Sequence, residues 1–156
     1  MGVRAKDIMT ADLICANEDM SVQELAQLLR DNNITGAPVV DGKGMLVGGV
    51  SVSDILLKDE VFGEEPHLDS DYQKQAESSD EGLLNDLSLE DVGDQKVRDI
   101  MSSAVITAQR DAPVEDLAGV MHSNRIHRVI ILEGERLAGI VSTMDILRAV
   151  MDRRIS

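Results

Sequence analysis

Gly139-Ile140-Val141-Ser142-Thr143-Met144-Asp145-Ile146-Leu147 decides the fold, because a near copy of it stands earlier in the chain. That copy is Gly48-Gly49-Val50-Ser51-Val52-Ser53-Asp54-Ile55-Leu56, and six of the nine positions are identical. Each reads as a short apolar strand running into a helix, with a serine at the junction and an aspartate three residues later. Such spacing makes the serine a helix N-cap and places a carboxylate in the first helical turn.

The duplication extends outward from these corners. Asp7-Ile8-Met9-Thr10 lies 92 positions before Asp99-Ile100-Met101-Ser102, and the same offset pairs Val22 with Val114, Leu25 with Leu117, Ala26 with Ala118, Asn32 with Asn124 and Ile34 with Ile126. The repeated unit is about 55 residues long. Each copy is expected to open with a brief strand, 13–16 or 104–107. A helix follows, with Val22, Leu25, Ala26 and Leu29 on one face. Ser21 and Glu24 form a capping box at its start, Pro113 takes the first-turn slot in copy two, and Asn32-Asn33 ends the first helix. A hairpin comes next, with strands at 37–40 and 45–50 in copy one and 129–132 and 137–141 in copy two, turning at Asp41-Gly42 and Glu133-Gly134. A second helix, 52–58 or 143–153, closes each copy.

The expected fold class is therefore α/β: two β-α-β-β-α repeats packed sheet to sheet, with pseudo-two-fold symmetry. One unit alone exposes an apolar sheet face that a second can cover. The boundaries are residues 1–58 for repeat one, 59–95 for an insertion and 96–156 for repeat two.

Composition restricts the function. The 156 residues are 43% hydrophobic, with Phe62 and Tyr72 the only aromatic residues, so the core is aliphatic. A single cysteine, Cys15, excludes an internal disulfide and suits a reduced, cytoplasmic setting. No run of about 20 apolar residues is present to span a bilayer, so no membrane association is expected. A net charge of −14 argues against nucleic acid as a partner. Residues 59–95 carry thirteen acidic side chains and one lysine, a sum of −12, which leaves −2 for the rest. This insertion reads as a polar surface excursion, in which Leu83, Leu84, Leu87 and Leu89 could form an amphipathic turn or two.

No phosphate-binding glycine loop, nucleophile elbow or Cys–His pair occurs, and His67, His122 and His127 lack metal-ligand spacing. The eight methionines read as core filler. Neither an enzyme, a required cofactor nor a metal site is expected. The paired corners carry the available chemistry. A helix N-terminus offers backbone N–H groups to a phosphate, and an aspartate there can accept ribose hydroxyls. Ser-x-x-Asp is also a plain capping box, and the two roles are compatible because both side chains have spare hydrogen-bonding capacity. His127 and Arg128, with His122, Arg125 and Arg136, form a basic cluster that suits either a phosphate or the acidic insertion.

Together the duplicated Asp-Ile-Met-Thr/Ser opening, the hairpin from Asn33 to Val40 and the Gly-x-Val-Ser-x-x-Asp-Ile-Leu corner resemble a tandem cystathionine-β-synthase (CBS) domain pair, or Bateman module. Copy two is also similar to the nucleotide-sensing repeats of the AMP-activated protein kinase γ subunit. The resemblance implies a non-catalytic regulatory module that binds an adenosine-containing ligand (AMP, ADP, ATP or S-adenosylmethionine) in the cleft between repeats and signals by changing repeat or dimer geometry. It implies ribose contacts from Asp145 with Ser142, and from Asp54 with Ser51. For the Asp145 site it implies adenine contacts at Thr10, Ile14, Thr35, Gly36 and Ala37, with Ile140 behind; for the Asp54 site it implies Ser102, Ile106, His127, Arg128 and Val129. Three departures from copy to copy stand out: Ile130 answers Pro38, Met144 answers Ser53, and His127-Arg128 answers Thr35-Gly36. A homodimer through the helices and a regulated protein partner are further implications. The alternative is a ligand-independent dimeric interaction module whose acidic insertion docks a basic protein.

Overall fold

The computed structural model describes residues 2–57, 71–74 and 95–152. In chain order the elements are α1 (Ala5–Ile8), β1 (Ala16–Asn17), α2 (Val22–Asn32), β2 (Gly36–Val40), β3 (Leu46–Ser51), α3 (Val52–Leu57), α4 (Asp71–Lys74), α5 (Val97–Ile100), β4 (Thr107–Gln109), α6 (Val114–Asn124), β5 (Arg128–Glu133), β6 (Arg136–Ser142) and α7 (Thr143–Met151). They make an α/β protein with two three-stranded mixed sheets, β1-β2-β3 and β4-β5-β6, in which the first pair is parallel and the second antiparallel.

The chain divides into two compact units. The first-copy unit holds Ile14–Val105, and the second-copy unit holds Met1–Leu13 with Ile106–Ser156. Thus the opening segment of each copy packs within the unit built on the other copy. Thr10 and Ile140 exchange backbone hydrogen bonds of 2.9 and 3.0 Å, and Ser102 exchanges two of 2.9 Å with Gly49. Glycine permits this approach. A Cβ at Gly139 would lie 2.7 Å from Met9 Sδ and 2.8 Å from the Thr10 carbonyl oxygen, and one at Gly48 would meet the Ser102 carbonyl oxygen at 2.5 Å.

These opening segments hold a turn of helix absent from the expected β-α-β-β-α plan. In α1 the Arg4 N–H donates to Asp7 Oδ2 at 2.8 Å, and in α5 the Lys96 N–H donates to Asp99 Oδ2 at 2.9 Å. The first strands also begin later than expected, at Ala16 and Thr107, where parallel pairing with β2 and β5 starts. The ladders stop there although β2 and β5 run on to Gly36 and Arg128, so strand propensity in 13–15 and 104–106 did not decide the local structure.

The helix and hairpin expectations agree with the structure. Ser21 Oγ accepts the Glu24 N–H at 3.0 Å, and Glu24 Oε1 accepts the Ser21 N–H at 3.4 Å. Asn33 and Arg125 end α2 and α6 in the left-handed conformation, at φ 51° and 55°. Pro113 sits one position earlier than expected, as the N-cap of α6. At the first hairpin turn, Asp41 Oδ1 accepts N–H groups from Lys43 and Met45 at 2.8 and 3.0 Å, which hold its carboxyl below the usual range. Each sheet buries one face against its own helices. Val22, Leu25 and Leu29 of α2 cluster with Val39 and Val50, while Leu117 and Met121 of α6 cluster with Val129, Ile131 and Val141.

Of the insertion, α4 is described; Leu83, Leu84, Leu87 and Leu89 lie outside the described residues. The described part is not a surface excursion. Tyr72 and Gln73 are buried, and α4 packs on β3.

Gly139→Ala should destabilise the protein by about 1–3 kcal/mol, because the added methyl meets backbone that cannot withdraw. Gly42→Ala, which meets nothing within 4 Å, should be close to neutral. Urea denaturation of both variants checks the difference.

Candidate functional site

The two strand-to-helix corners are built alike. In the first-copy unit the Ser51 N–H donates to Asp54 Oδ2 at 2.8 Å, and Ser51 Oγ lies 3.3 Å from the same oxygen and 2.8 Å from Ser53 Oγ. In the second-copy unit the Ser142 N–H donates to Asp145 Oδ2 at 2.8 Å, and Ser142 Oγ accepts the Asp145 N–H at 3.2 Å. At Ser142–Asp145 the capping box is reciprocal, its two bonds satisfying donors that the first helical turn leaves unpaired, whereas at the first corner Ser51 Oγ lies against the Asp54 carboxylate.

Hairpin starts flank both corners. Gly36 pairs with Ser51 and Ala37 with Val50, while the Val52 N–H donates to the Thr35 carbonyl. Arg128 pairs with Ser142 and Val129 with Val141, while the Thr143 N–H donates to the His127 carbonyl. The residues expected around Asp145 divide between the units, with Ile14, Thr35, Gly36 and Ala37 in the first-copy unit and Thr10, Ile140, Ser142 and Asp145 in the second-copy unit. Those expected around Asp54 divide likewise, with Ser51, Asp54 and Ser102 in the first-copy unit and Ile106, His127, Arg128 and Val129 in the second-copy unit.

Neither aspartate faces bulk water. Asp54 is 6% exposed, and the Asp145 side chain is 11% exposed. The Arg148 guanidinium stands 3.7 Å from Asp145 Oδ1, beyond hydrogen-bond length, so this oxygen keeps most of its accepting capacity. Ser102 Oγ is buried and has no hydrogen-bond partner among the described residues. A buried hydroxyl left unsatisfied is costly, so its persistence at a corner is a pointer to function.

The basic cluster is only partly assembled. His122, Arg125 and His127 line an open groove of about 930 Å³ between α6 and α7, together with Met121, Ile126 and Leu147. Arg136 stands apart, opposite Glu133 in the strand register at the hairpin turn. It lies at the opposite end of β6 from Ser142, roughly 20 Å along the strand. Sequence proximity had grouped it with residues that the hairpin carries to the other end of the sheet.

Tyr72 is the neighbour that sequence reasoning missed. Its ring lies against Gly36, where an added Cβ would overlap Cδ1. A signal was available: it is the only tyrosine, set in an acidic segment that otherwise offers little reason to hold an aromatic residue.

Among the described residues no group of histidine, cysteine or acidic side chains could hold a metal ion, and no helix is long and apolar enough to cross a membrane.

Ser142→Ala should cost about 1 kcal/mol by removing the cap of α7, and Ser142→Asp should restore most of it. Thermal denaturation of the two variants measures this.

The chain is similar to known proteins over most of its length. An uncharacterised protein of Methanocaldococcus jannaschii is 36% identical over 145 residues, covering 93% of this chain and 31% of that protein. The chain thus spans about a third of that relative's length. A second uncharacterised protein of the same organism is 32% identical over 154 residues, covering 94% of this chain and 90% of the other. Among solved structures, the CBS domain pair of protein MJ0100, in complex with 5′-methylthioadenosine and S-adenosyl-L-methionine, is 26% identical with a TM-score of 0.67; the match covers 98% of this chain and 99% of that one. The CBS domain family matches residues 5–60 and 97–152, and the chain belongs to that family as a tandem CBS pair.

Proposed function

We propose that this CBS pair is a non-catalytic regulatory module that binds an adenosine-containing ligand, AMP, ADP, ATP or S-adenosylmethionine, and needs no further cofactor. The observation that carries the reading is the Asp145 carboxylate. It is nearly buried, is oriented through one oxygen by the Ser142 N–H, and keeps its second oxygen at the mouth of a capped helix. A carboxylate so placed can accept the two hydroxyls of a ribose, and the helix N-terminus beside it favours a phosphate or carboxylate on the same ligand. The unpartnered Ser102 Oγ and the matching Ser51–Asp54 corner add support. So does the complex of the MJ0100 CBS pair with two adenosyl compounds. Residue by residue, the ribose contacts fall to Asp145 and Ser142 and to Asp54 and Ser51. Base contacts fall to Thr10, Ile14, Thr35, Gly36, Ala37 and Ile140, and to Ser102, Ile106, His127, Arg128 and Val129. Signalling requires that the ligand bind two arrangements of the protein with different affinity.

The same reading includes a cytoplasmic homodimer. Its support is the apolar stripe on α7, where Met144, Leu147, Val150 and Met151 are 46%, 54%, 51% and 80% exposed. A helix face this apolar gains from being covered by a second copy.

Calorimetric titration of AMP, ATP and S-adenosylmethionine into wild type and Asp145→Ala tests the ligand. Charge-assisted hydrogen bonds to ribose at about 1.5–3 kcal/mol predict a loss of about tenfold or more in affinity. Equal heats from both proteins reject the assignment. Leu147→Glu should halve the native mass if α7 forms the dimer interface; an unchanged mass rejects that interface.

A further inference from the structure

The two corners differ in what covers them, and the difference traces to α4. In β3, Val50 turns toward α2 with Val39, so Ser51 and its cross-strand partner Gly36 present the opposite face of the sheet. That face carries no helix of the repeat. It is covered instead by the insertion: Tyr72, 5% exposed, sets its ring on Gly36, and Gln73 beside it is 2% exposed. Beneath them Ser51 is fully buried and Asp54 is 6% exposed. At the equivalent corner of copy two, Arg128 stands where Gly36 does, Ser142 and Thr143 are only half-buried, and Met144 is 46% exposed.

We infer that α4 is an intrasteric plug: Tyr72 occupies the face of Gly36 and competes with the adenine that the proposed function assigns to Gly36. The inference rests on the adenosyl-ligand reading above. A flat aromatic ring lying on a residue without a side chain is what a stacked purine would also require there. Glycine at position 36 serves both occupants, since any side chain would fill the space. Because the ring must leave before the base can enter, the ligand's apparent affinity is reduced by the fraction of molecules in which α4 is docked. By linkage, the ligand in turn drives α4 off the sheet. The insertion therefore links a base on the Gly36 face to the release of α4.

The composition supplies a probe. Tyr72 is the sole tyrosine, so full-length protein grown with ring-fluorinated tyrosine gives one fluorine resonance, from α4 alone. Without ligand, Gly36→Ala should move that resonance toward its denatured position, since the new methyl displaces the ring; an unmoved resonance overturns the plug. With AMP, ATP or S-adenosylmethionine, the wild-type resonance should shift the same way. Tyr72→Ala should bind the ligand roughly tenfold or more tightly. Ligand binding that leaves the resonance in place, with equal affinity in wild type and Tyr72→Ala, overturns the plug and leaves the adenosyl reading standing. Absence of binding in wild type and Tyr72→Ala alike overturns both. The fluorine shift on adding ligand needs no substitution at Tyr72, so it decides the matter even if Tyr72→Ala does not fold.

Discussion

Everything in the two units depends on the closeness of backbone to backbone where the opening segments meet β3 and β6. The paired bonds between Thr10 and Ile140, and between Ser102 and Gly49, extend each sheet by one bridge. They form only because Gly139 and Gly48 present no side chain toward Met9 and Met101. A short sheet of three strands leaves its outer strand with unused donors and acceptors, and these segments satisfy some of them. The helical turns α1 and α5 follow from the same docking. Ala5 and Lys6 donate to the Ala112 and Arg110 carbonyls, and Val97 and Arg98 donate to those of Met20 and Glu18. One arrangement is thus used twice, with Ala5 and Val97 fully buried at equivalent places.

With those segments fixed, the corners inherit their positions. Each serine at the end of β3 or β6 is held by a cross-strand partner on one side and by its own helix cap on the other. The aspartates are oriented before any ligand arrives, which lowers the ordering cost of binding. Their surroundings are not equal. Copy one offers Thr35 and Gly36 under a buried aromatic ring, while copy two offers His127 and Arg128 beside an open groove. A duplicated sequence has therefore produced two corners of the same geometry and different chemistry.

Most of this was legible from residue pattern. The Ser21–Glu24 box, the helix end at Asn33 and the turn at Asp41 are local devices whose atoms lie within a few residues of one another, and each appears as expected. The Ser-x-x-Asp corners were readable for the same reason. What failed depended on distant partners. Leu13 to Cys15 has strand-like composition, but its ladder with β2 begins only at Ala16, although β2 itself starts at Gly36. Arg136 is near His127 in sequence but is carried away by the hairpin. The helical turns at 5–8 and 97–100 were missed although Arg4-x-x-Asp7 and Lys96-x-x-Asp99 repeat the spacing of a capping box. Tyr72 was hidden by its company, since an acidic context argues for solvent while the glycine that receives its ring lies 36 positions away.

The membership of residues 1–13 in the unit completed by 106–156 has a consequence for how the chain is made. During synthesis residues 2–13 emerge about a hundred positions before their hydrogen-bonding partners at Ala112 and Ile140. The first-copy unit, whose segments are contiguous from Ile14 to Val105, can close on the ribosome, while residues 2–13 wait for the second hairpin. A polypeptide released after copy one would carry a loose leading segment and would lack the sheet that segment completes. The two halves are consequently interleaved in time as well as in sequence, and neither is a freely transferable part.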